Sequence, residues 1–572
     1  MIRSLAAAPR TSFEREAALA RMAEETFDVL VIGGGITGAG VALDAAARGL
    51  RTALVEARDF GSGTSSRSSK LIHGGLRYLQ QREFGLVYEA LAERQRLLEN
   101  APHLVTPLPF LIPILGKGGI ASSSLARLYS IALWEYDLTG GLRIGRRHRR
   151  VTAAGARKYL PSLDVERLVA AFLYWDAHTD DARLTLTVLR TAVVNYGAVA
   201  ANYAPVSALL TDDGPSFTTD HGAGRVVGAR LEDGTEIRAD VVVNATGVWS
   251  DVVRAMDEGP EAADTIRPAK GIHLTFRATR LPATAAAVLP VPGDRRSIFV
   301  IPWGRFTYAG TTDTDYDGPL DDPQCTPADV AYVLAALNSS VDGALAPSDV
   351  VSSWAGLRPL VRSAKSERTA DLSRRHRVTR SRRGMVTVTG GKLTTYRAMA
   401  SDTMDVVVEE LGRGARRCPT KHLMLLGGNG SLELRQPEAA RRLGVTPDTL
   451  EHLTGRYGTE ARTVIAIMEA DPELARPLLP GLPYLRAEVV YAARYEMAWT
   501  LEDVLARRTR AQLLDRDVTE AGATSVARLL APELGWSARR IEREASGYHD
   551  AMSRARAAAG LRGSGELARH PN

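Results

Sequence analysis

Cysteine is nearly absent. Cys325 and Cys418 are the two in 572 residues, far apart and outside any CxxC. This excludes a disulfide framework and a cysteine-rich zinc site, and the chain is read as intracellular and reducing. No secretory leader is expected either. Residues 1–25 alternate apolar and charged groups, including Glu14, Glu16, Glu24 and Glu25, with no apolar h-region. Long apolar runs are also missing. The longest nearly uncharged segment, LVTPLPFLIPILGKGGI (104–120), is interrupted by Pro107, Pro109 and Pro113. Its apolar part is about a dozen residues, short of the roughly 20 a spanning helix needs. No repeat at a period of 20–50 residues is visible.

What remains is globular composition: 45% hydrophobic and 24% charged. The length exceeds one compact core and predicts about three domains. Net charge is +6, carried mostly by arginine. That balance admits an anionic partner: nucleic acid, an acidic membrane surface or a phosphorylated metabolite.

The pattern opens with a helical extension (1–25), then strand, glycine turn, helix, strand. FDVLVI (27–32) is a buried apolar run, ITGAGVALDAAARG reads as a helix closed by Gly49, and TALVE (52–56) is the next strand. Gly33, Gly35 and Gly38 form G-x-G-x-x-G in that context. Gly33 permits the tight turn, Gly35 lets backbone approach a pyrophosphate, and Gly38 allows close helix–strand packing. The first helical residues, Ile36 and Thr37, offer N–H groups and a positive dipole to phosphate. Glu56 ends the second strand, with Ala57 beside it. It can accept from ribose hydroxyls and repels a 2′-phosphate, which argues against NADP. The spacing does not separate FAD from NAD. With no second such motif in good context, one dinucleotide is expected.

Further along, RVVGARLEDGTEIRADVVV (225–243) carries a hairpin signal at Glu232-Asp233-Gly234. MVTVTGG (385–391) is a strand leading to a helix near Leu393. Beyond about 405 the texture is helical, with TLED (500–503) as a capping box. Residues 561–572 read as a flexible tail.

Several segments, in order and at matching spacing, resemble the FAD-dependent, quinone-linked glycerol-3-phosphate dehydrogenase family. They are DVLVIGGGITGAGVALDAAARGL, SSRSSKLIHGGLRYL, KGIHL, IPW…AGTTDTD, GLRPL and GGKLTTYR, with EMAWTLEDVLARRTR as a looser match. The resemblance covers about 26–400 well. It implies an α/β fold: an FAD-binding Rossmann-like domain, an antiparallel-sheet substrate domain of the D-amino-acid-oxidase type (roughly 100–200 and 265–350), and an α-helical C-terminal domain (405–560).

The resemblance also implies site roles. FAD would be held by the glycine motif, Glu56, and the segment Thr64, Ser65, Ser66, Ser68, Ser69 and Lys70. His73, Gly74 and Gly75 would lie close to the flavin. Gly247 and Trp249 would return to the adenine half, and Gly391, Lys392, Leu393 and Thr394 to the flavin end. Substrate, sn-glycerol 3-phosphate, would be oxidised to dihydroxyacetone phosphate. A cationic pocket of Arg77, Lys270, Arg358 and Lys392, with Tyr78, would receive it. A guanidinium grips phosphate bidentately. His273 is the expected general base, since histidine titrates nearest working pH. Lys270 and His273 are three apart and would face opposite sides of a strand, so a bend at Gly271 is expected. TTD (311–313) shapes the site. Electrons would pass to membrane quinone, with the protein held peripherally on the inner face of the cell membrane through RIGRRHRRV (143–151) and LPFLIPIL (108–115).

Alternatives stay open. One is a glycerol-3-phosphate oxidase that uses oxygen; another is an amine or amino-acid oxidase of the same fold, which needs an arginine for carboxylate and an aromatic lid but would not call for four basic groups plus a histidine. A nucleic-acid-binding reading of SRRHRVTRSRRG (373–384) lacks interleaved aromatics and any recognised module. No metal site is expected. The C-terminal helices leave homodimer formation open.

Overall fold

The computed structural model describes residues 13–75, 83–116, 123–212, 224–262, 265–294, 296–362, 375–412 and 414–561. Two sheets organise them. The first has eight strands, with Thr26–Ile32 paired in parallel to Thr52–Val55 on one side and Glu236–Asn244 on the other. Val199–Ala201 and Val386–Thr389 extend this parallel core. Apart from Asp28, which accepts from Arg51 N–H, the run FDVLVI is apolar because both faces are covered, as parallel sheets require. Val29 and Val31 enter the core beneath helices Ile36–Ala47, Asp181–Tyr196 and Tyr396–Leu411. Phe27, Leu30 and Ile32 enter a second core with helix Arg15–Glu24. Each such buried side chain contributes about 1.5–3 kcal/mol.

The second sheet has ten strands. Thr106–Leu115 runs antiparallel to Leu168–His178, and Ile266–Arg277 antiparallel to Val350–Val361. The last strand carries this sheet past the boundary expected near residue 350. Thr106–Leu115 also corrects a sequence reading. The apolar stretch 108–115 does not lie at the surface: Leu108, Phe110, Leu111, Ile112 and Ile114 are all buried. Long strand partnership wins over its prolines.

Helices Pro447–Tyr457, Ala461–Ala470, Arg486–Tyr495, Arg516–Leu534 and Ala538–Ala558 build the C-terminal region around two cores. TLED forms its capping box: Thr500 Oγ1 accepts from Asp503 N–H, and Asp503 accepts from Thr500 N–H. The segment it opens, Asp503–Arg508, is a π-helical turn. That turn inserts Arg507 and Arg508 into the dinucleotide domain. Both reach Asp59, which is fully buried.

Candidate active site

The G-x-G-x-x-G turn builds a cradle. Gly33 has φ +109°, and a Cβ there would meet Ala245 O at 2.7 Å. A Cβ at Gly38 would collide with Gly33 O, so strand and helix touch as the motif requires. Gly35 caps helix Ile36–Ala47, and Ser65 Oγ accepts from Ile36 N–H at 2.9 Å. Glu56 closes the turn: its carboxylate accepts from Gly34 N–H (2.7 Å) and Arg58 N–H (2.9 Å). Burial pushes this carboxyl up, against those two hydrogen bonds.

A cavity of about 380 Å³ opens above the cradle, within the range of cofactor sites. Gly33, Gly35, Ile36, Thr37, Glu56, Ala57, Thr64, Ser65, Gly247, Trp249, Gly391, Lys392 and Leu393 all line it. Its far end is the turn after Val386–Thr389. Gly390 and Gly391 there have φ +74° and +85°. A Cβ on Gly390 would meet Arg375 O at 2.8 Å, so backbone alone fits. A cavity whose wall holds both a helix N-terminus and bare glycine backbone suits a dinucleotide.

The second sheet brings its chemistry to the region beside this cavity. His273 and Trp354 are register partners, as are Ala269 and Arg358, so His273, Trp354 and Arg358 share one face. His273 is buried, stacks on Trp354 (4.8 Å between centroids, 13°) and shares a 2.9 Å hydrogen bond between Nε2 and Ser69 Oγ. Its Nδ1 is buried without a protein partner among the described residues. Burial first, then the charges of Lys70 and Arg358, hold the imidazole well below its ordinary pKa. It is therefore neutral and can accept a proton. Arg358 donates to Asp313 Oδ1 (3.1 Å), Thr311 Oγ1 (3.0 Å) and Thr312 O (3.2 Å). TTD thus aims the guanidinium.

Lys270 is placed elsewhere. Strand Ile266–Arg277 keeps register with its partner through residues 266–275, so no bend occurs at Gly271. Lys270 falls on the opposite face, where its Nζ pairs with Asp329 at 2.6 Å. Lys70 and Ser68 also differ from expectation. Lys70 Nζ is buried on Asp181 at 3.0 Å, and Ser68 N–H and Oγ donate to the same carboxylate. Neither lines the dinucleotide cavity. Ser66 is buried and uses its carbonyl for Lys70 and Arg510. Gly74 is packed under Leu91 and Tyr136, which leaves no room for a side chain. Gly75 has φ +79°. His73 lies edge-on to Phe299 (6.2 Å), and Thr394 Oγ1 accepts from His73 N–H. Arg77 and Tyr78 lie outside the described residues.

Sequence reasoning missed Trp354. Counting back in twos from Arg358 through Gly356 finds it, because period-2 positions share a face.

Comparison with known proteins follows from this geometry. Residues 28–397 match the model of the FAD dependent oxidoreductases, and 418–541 that of the C-terminal domain of alpha-glycerophosphate oxidase. Glycerol-3-phosphate dehydrogenase 2 of Mycobacterium tuberculosis is 42% identical over 544 residues, 94% of this chain and 89% of that protein. The chain belongs to the FAD-dependent glycerol-3-phosphate dehydrogenase family. The mitochondrial glycerol-3-phosphate dehydrogenase of Homo sapiens is 38% identical, over 89% of this chain and 71% of that one. The structure of the glycerol-3-phosphate dehydrogenase from Bacillus halodurans complexed with FAD superposes with a TM-score of 0.75. It shares 32% identity and covers 96% of this chain and 98% of that one. FAD is accordingly the dinucleotide for the cradle. Family membership and the cavity support the same fold: a Rossmann-like domain, a substrate sheet and a helical C-terminal region.

Proposed function

We propose that this flavoprotein oxidises sn-glycerol 3-phosphate to dihydroxyacetone phosphate and passes the electrons to a membrane quinone. The observation that carries the reading is the shared face of His273 and Arg358, with Pro359, the residue after Arg358, in the wall of the FAD cavity. Bound FAD supplies the hydride acceptor. The chain's residues do the rest. Arg358, held by Asp313, Thr311 and Thr312, grips the phosphate; Lys392 adds charge from the glycine turn. Arg77 and Tyr78 would complete the pocket. His273, held neutral, accepts the hydroxyl proton as hydride leaves the carbinol carbon. Ser69 fixes the ring through Nε2 and Trp354 fixes its plane.

Arg358→Ala is expected to raise KM for glycerol 3-phosphate by about 10²-fold, the loss of a charged bidentate contact. FAD absorbance would stay unchanged. Loss of FAD instead would move Arg358 to the cofactor's site.

The membrane part has its own support. Among the described residues no helix is long and apolar enough to cross a bilayer. Yet Phe84, Tyr88, Ile131, Trp134 and Leu138 are large and exposed, Leu138 at 75%. They lie at helical spacing on Phe84–Asn100 and Ser123–Thr139. Arg143 lies over Tyr88 and Arg147 over Trp134. The exposed arginine run thus rims an apolar patch, a surface suited to an anionic interface at about 1 kcal/mol per basic residue. Cosedimentation with phosphatidylglycerol vesicles should be strong, weakened by salt and by Leu138→Glu. Equal binding to neutral vesicles would contradict it. Oxygen as acceptor is the second reading, favoured by the match of 418–541 to an oxidase's C-terminal domain. Peroxide formation at a rate matching turnover would select it.

A further inference from the structure

The reading of His273 as base leaves a buried ammonium behind it unexplained. Lys70 is 2% exposed and holds φ +58°, a left-handed conformation rare for a side-chain-bearing residue. Its Nζ lies 3.0 Å and 3.2 Å from the two Asp181 oxygens and 3.3 Å from Ser66 O. The same Nζ sits 5.0 Å from the Trp354 ring, the ring on which His273 stacks. Arg510 donates to the same Asp181 oxygen, Oδ1, at 2.8 Å, and it too is buried and left-handed, at φ +66°. Two non-glycine residues with strained backbone thus meet on one carboxylate oxygen. Such strain persists where the surroundings over-determine it, and it gathers at functional sites. Asp181 also binds Ser68 N–H and Oγ, which fixes the residue next to Ser69.

We propose that Lys70 is a positioning residue for His273: held by Asp181, the carboxylate that Arg510 also binds, its ammonium holds the Trp354 ring against the imidazole. Arg510 comes from the C-terminal helices, so the helical region is wired to the catalytic histidine through one carboxylate. This inference rests on the reading of His273 as base.

The charges around the pair are all in place. Asp181 and Asp180 are the acids facing Lys70; Asp180 is shared by Arg510 (3.4 Å) and Arg456 (3.2 Å). Arg358 and the Tyr308 phenol, whose ring is 5.9 Å from the imidazole, face His273 from the neighbouring strands. Burial, then the charge of Arg510, pushes Lys70 down to about 8, against Asp181. It is charged at neutral pH and repels a proton from His273. An uncharged residue at 70 removes that repulsion, so the histidine pKa rises.

The test uses the full FAD-loaded chain. In Lys70→Met the acid limb of flavin reduction by glycerol 3-phosphate should move up by at least about one pH unit, a tenfold rate loss at a pH on that limb. Lys70→Arg should restore the limb. An unmoved limb in folded, yellow Lys70→Met overturns the proposal. Wild-type protein that glycerol 3-phosphate does not bleach overturns the functional reading instead. A second measurement needs no neutral variant. Wild-type indole fluorescence should show a transition near pH 8 as Lys70 discharges beside Trp354, absent from both Lys70→Arg and Trp354→Phe. Persistence of that transition in both would also overturn the proposal.

Discussion

His273→Asn is expected to slow flavin reduction by glycerol 3-phosphate about 10²–10⁴-fold, the usual contribution of a positioned base. FAD should remain bound, because His273 does not line the dinucleotide cavity. Substrate affinity should change little, because Arg358 keeps its own three partners. The pH profile adds a sharper expectation. A solvated imidazole titrates near 6.5. Burial and the charges of Lys70 and Arg358 hold His273 well below that. The rate should therefore be flat through neutrality and fall only at distinctly acidic pH. Stopped-flow absorbance at the flavin band measures both. An undiminished rate in His273→Asn would assign the proton to another group.

Asp59→Asn should destabilise the fold by about 3–5 kcal/mol, the cost of removing one partner from a buried ion pair. Asp59 receives Arg508 through two bonds of 2.7 and 2.8 Å and Arg507 through one. All three side chains are buried. With an amide at 59, two guanidiniums stay inside without their shared anion. Asp59 stands three residues after Glu56, so loosening this contact should also release FAD. Thermal melting followed by helix signal and by flavin fluorescence would detect both. The acid dependence has a defined sign. Although burial raises it, Arg508 and Arg507 hold the Asp59 carboxyl below its ordinary value. Its stabilisation is complete above the unfolded carboxylate's pKa of about 3.9. It is lost as pH falls through the lower folded value. An unchanged melt in Asp59→Asn would mean that the other contacts of the C-terminal helices hold them without the Asp59 ion pair.

The dinucleotide cradle was legible because its information is local. Gly33, Gly35, Gly38 and Glu56 lie within one strand–helix–strand unit, and each acts through its own backbone or an adjacent turn. His273 and Arg358 were reachable through motif resemblance, and strand parity explains why they meet. The same parity places Lys270 across the sheet, where Asp329 neutralises it. An alternating rule read without a bend at Gly271 would have given that result. Lys70 and Ser68 could not be read at all. Their partner Asp181 is over a hundred residues away and begins a helix whose own sequence signals only a cap. Asp59 and Arg508 are farther apart still. Charged residues at such separations look like surface groups until topology buries them together. The apolar stretch 108–115 failed for a related reason: hydrophobicity says buried, and only strand pairing says in what.

Turnover requires a phosphorylated secondary alcohol to meet a neutral histidine and a held arginine beside FAD. The most direct measurement is anaerobic titration of the purified yellow protein, followed by absorbance at the flavin band. sn-Glycerol 3-phosphate should bleach it, while glycine and D-amino acids leave it oxidised. Bleaching by an amino acid, with glycerol 3-phosphate inert, would contradict the account.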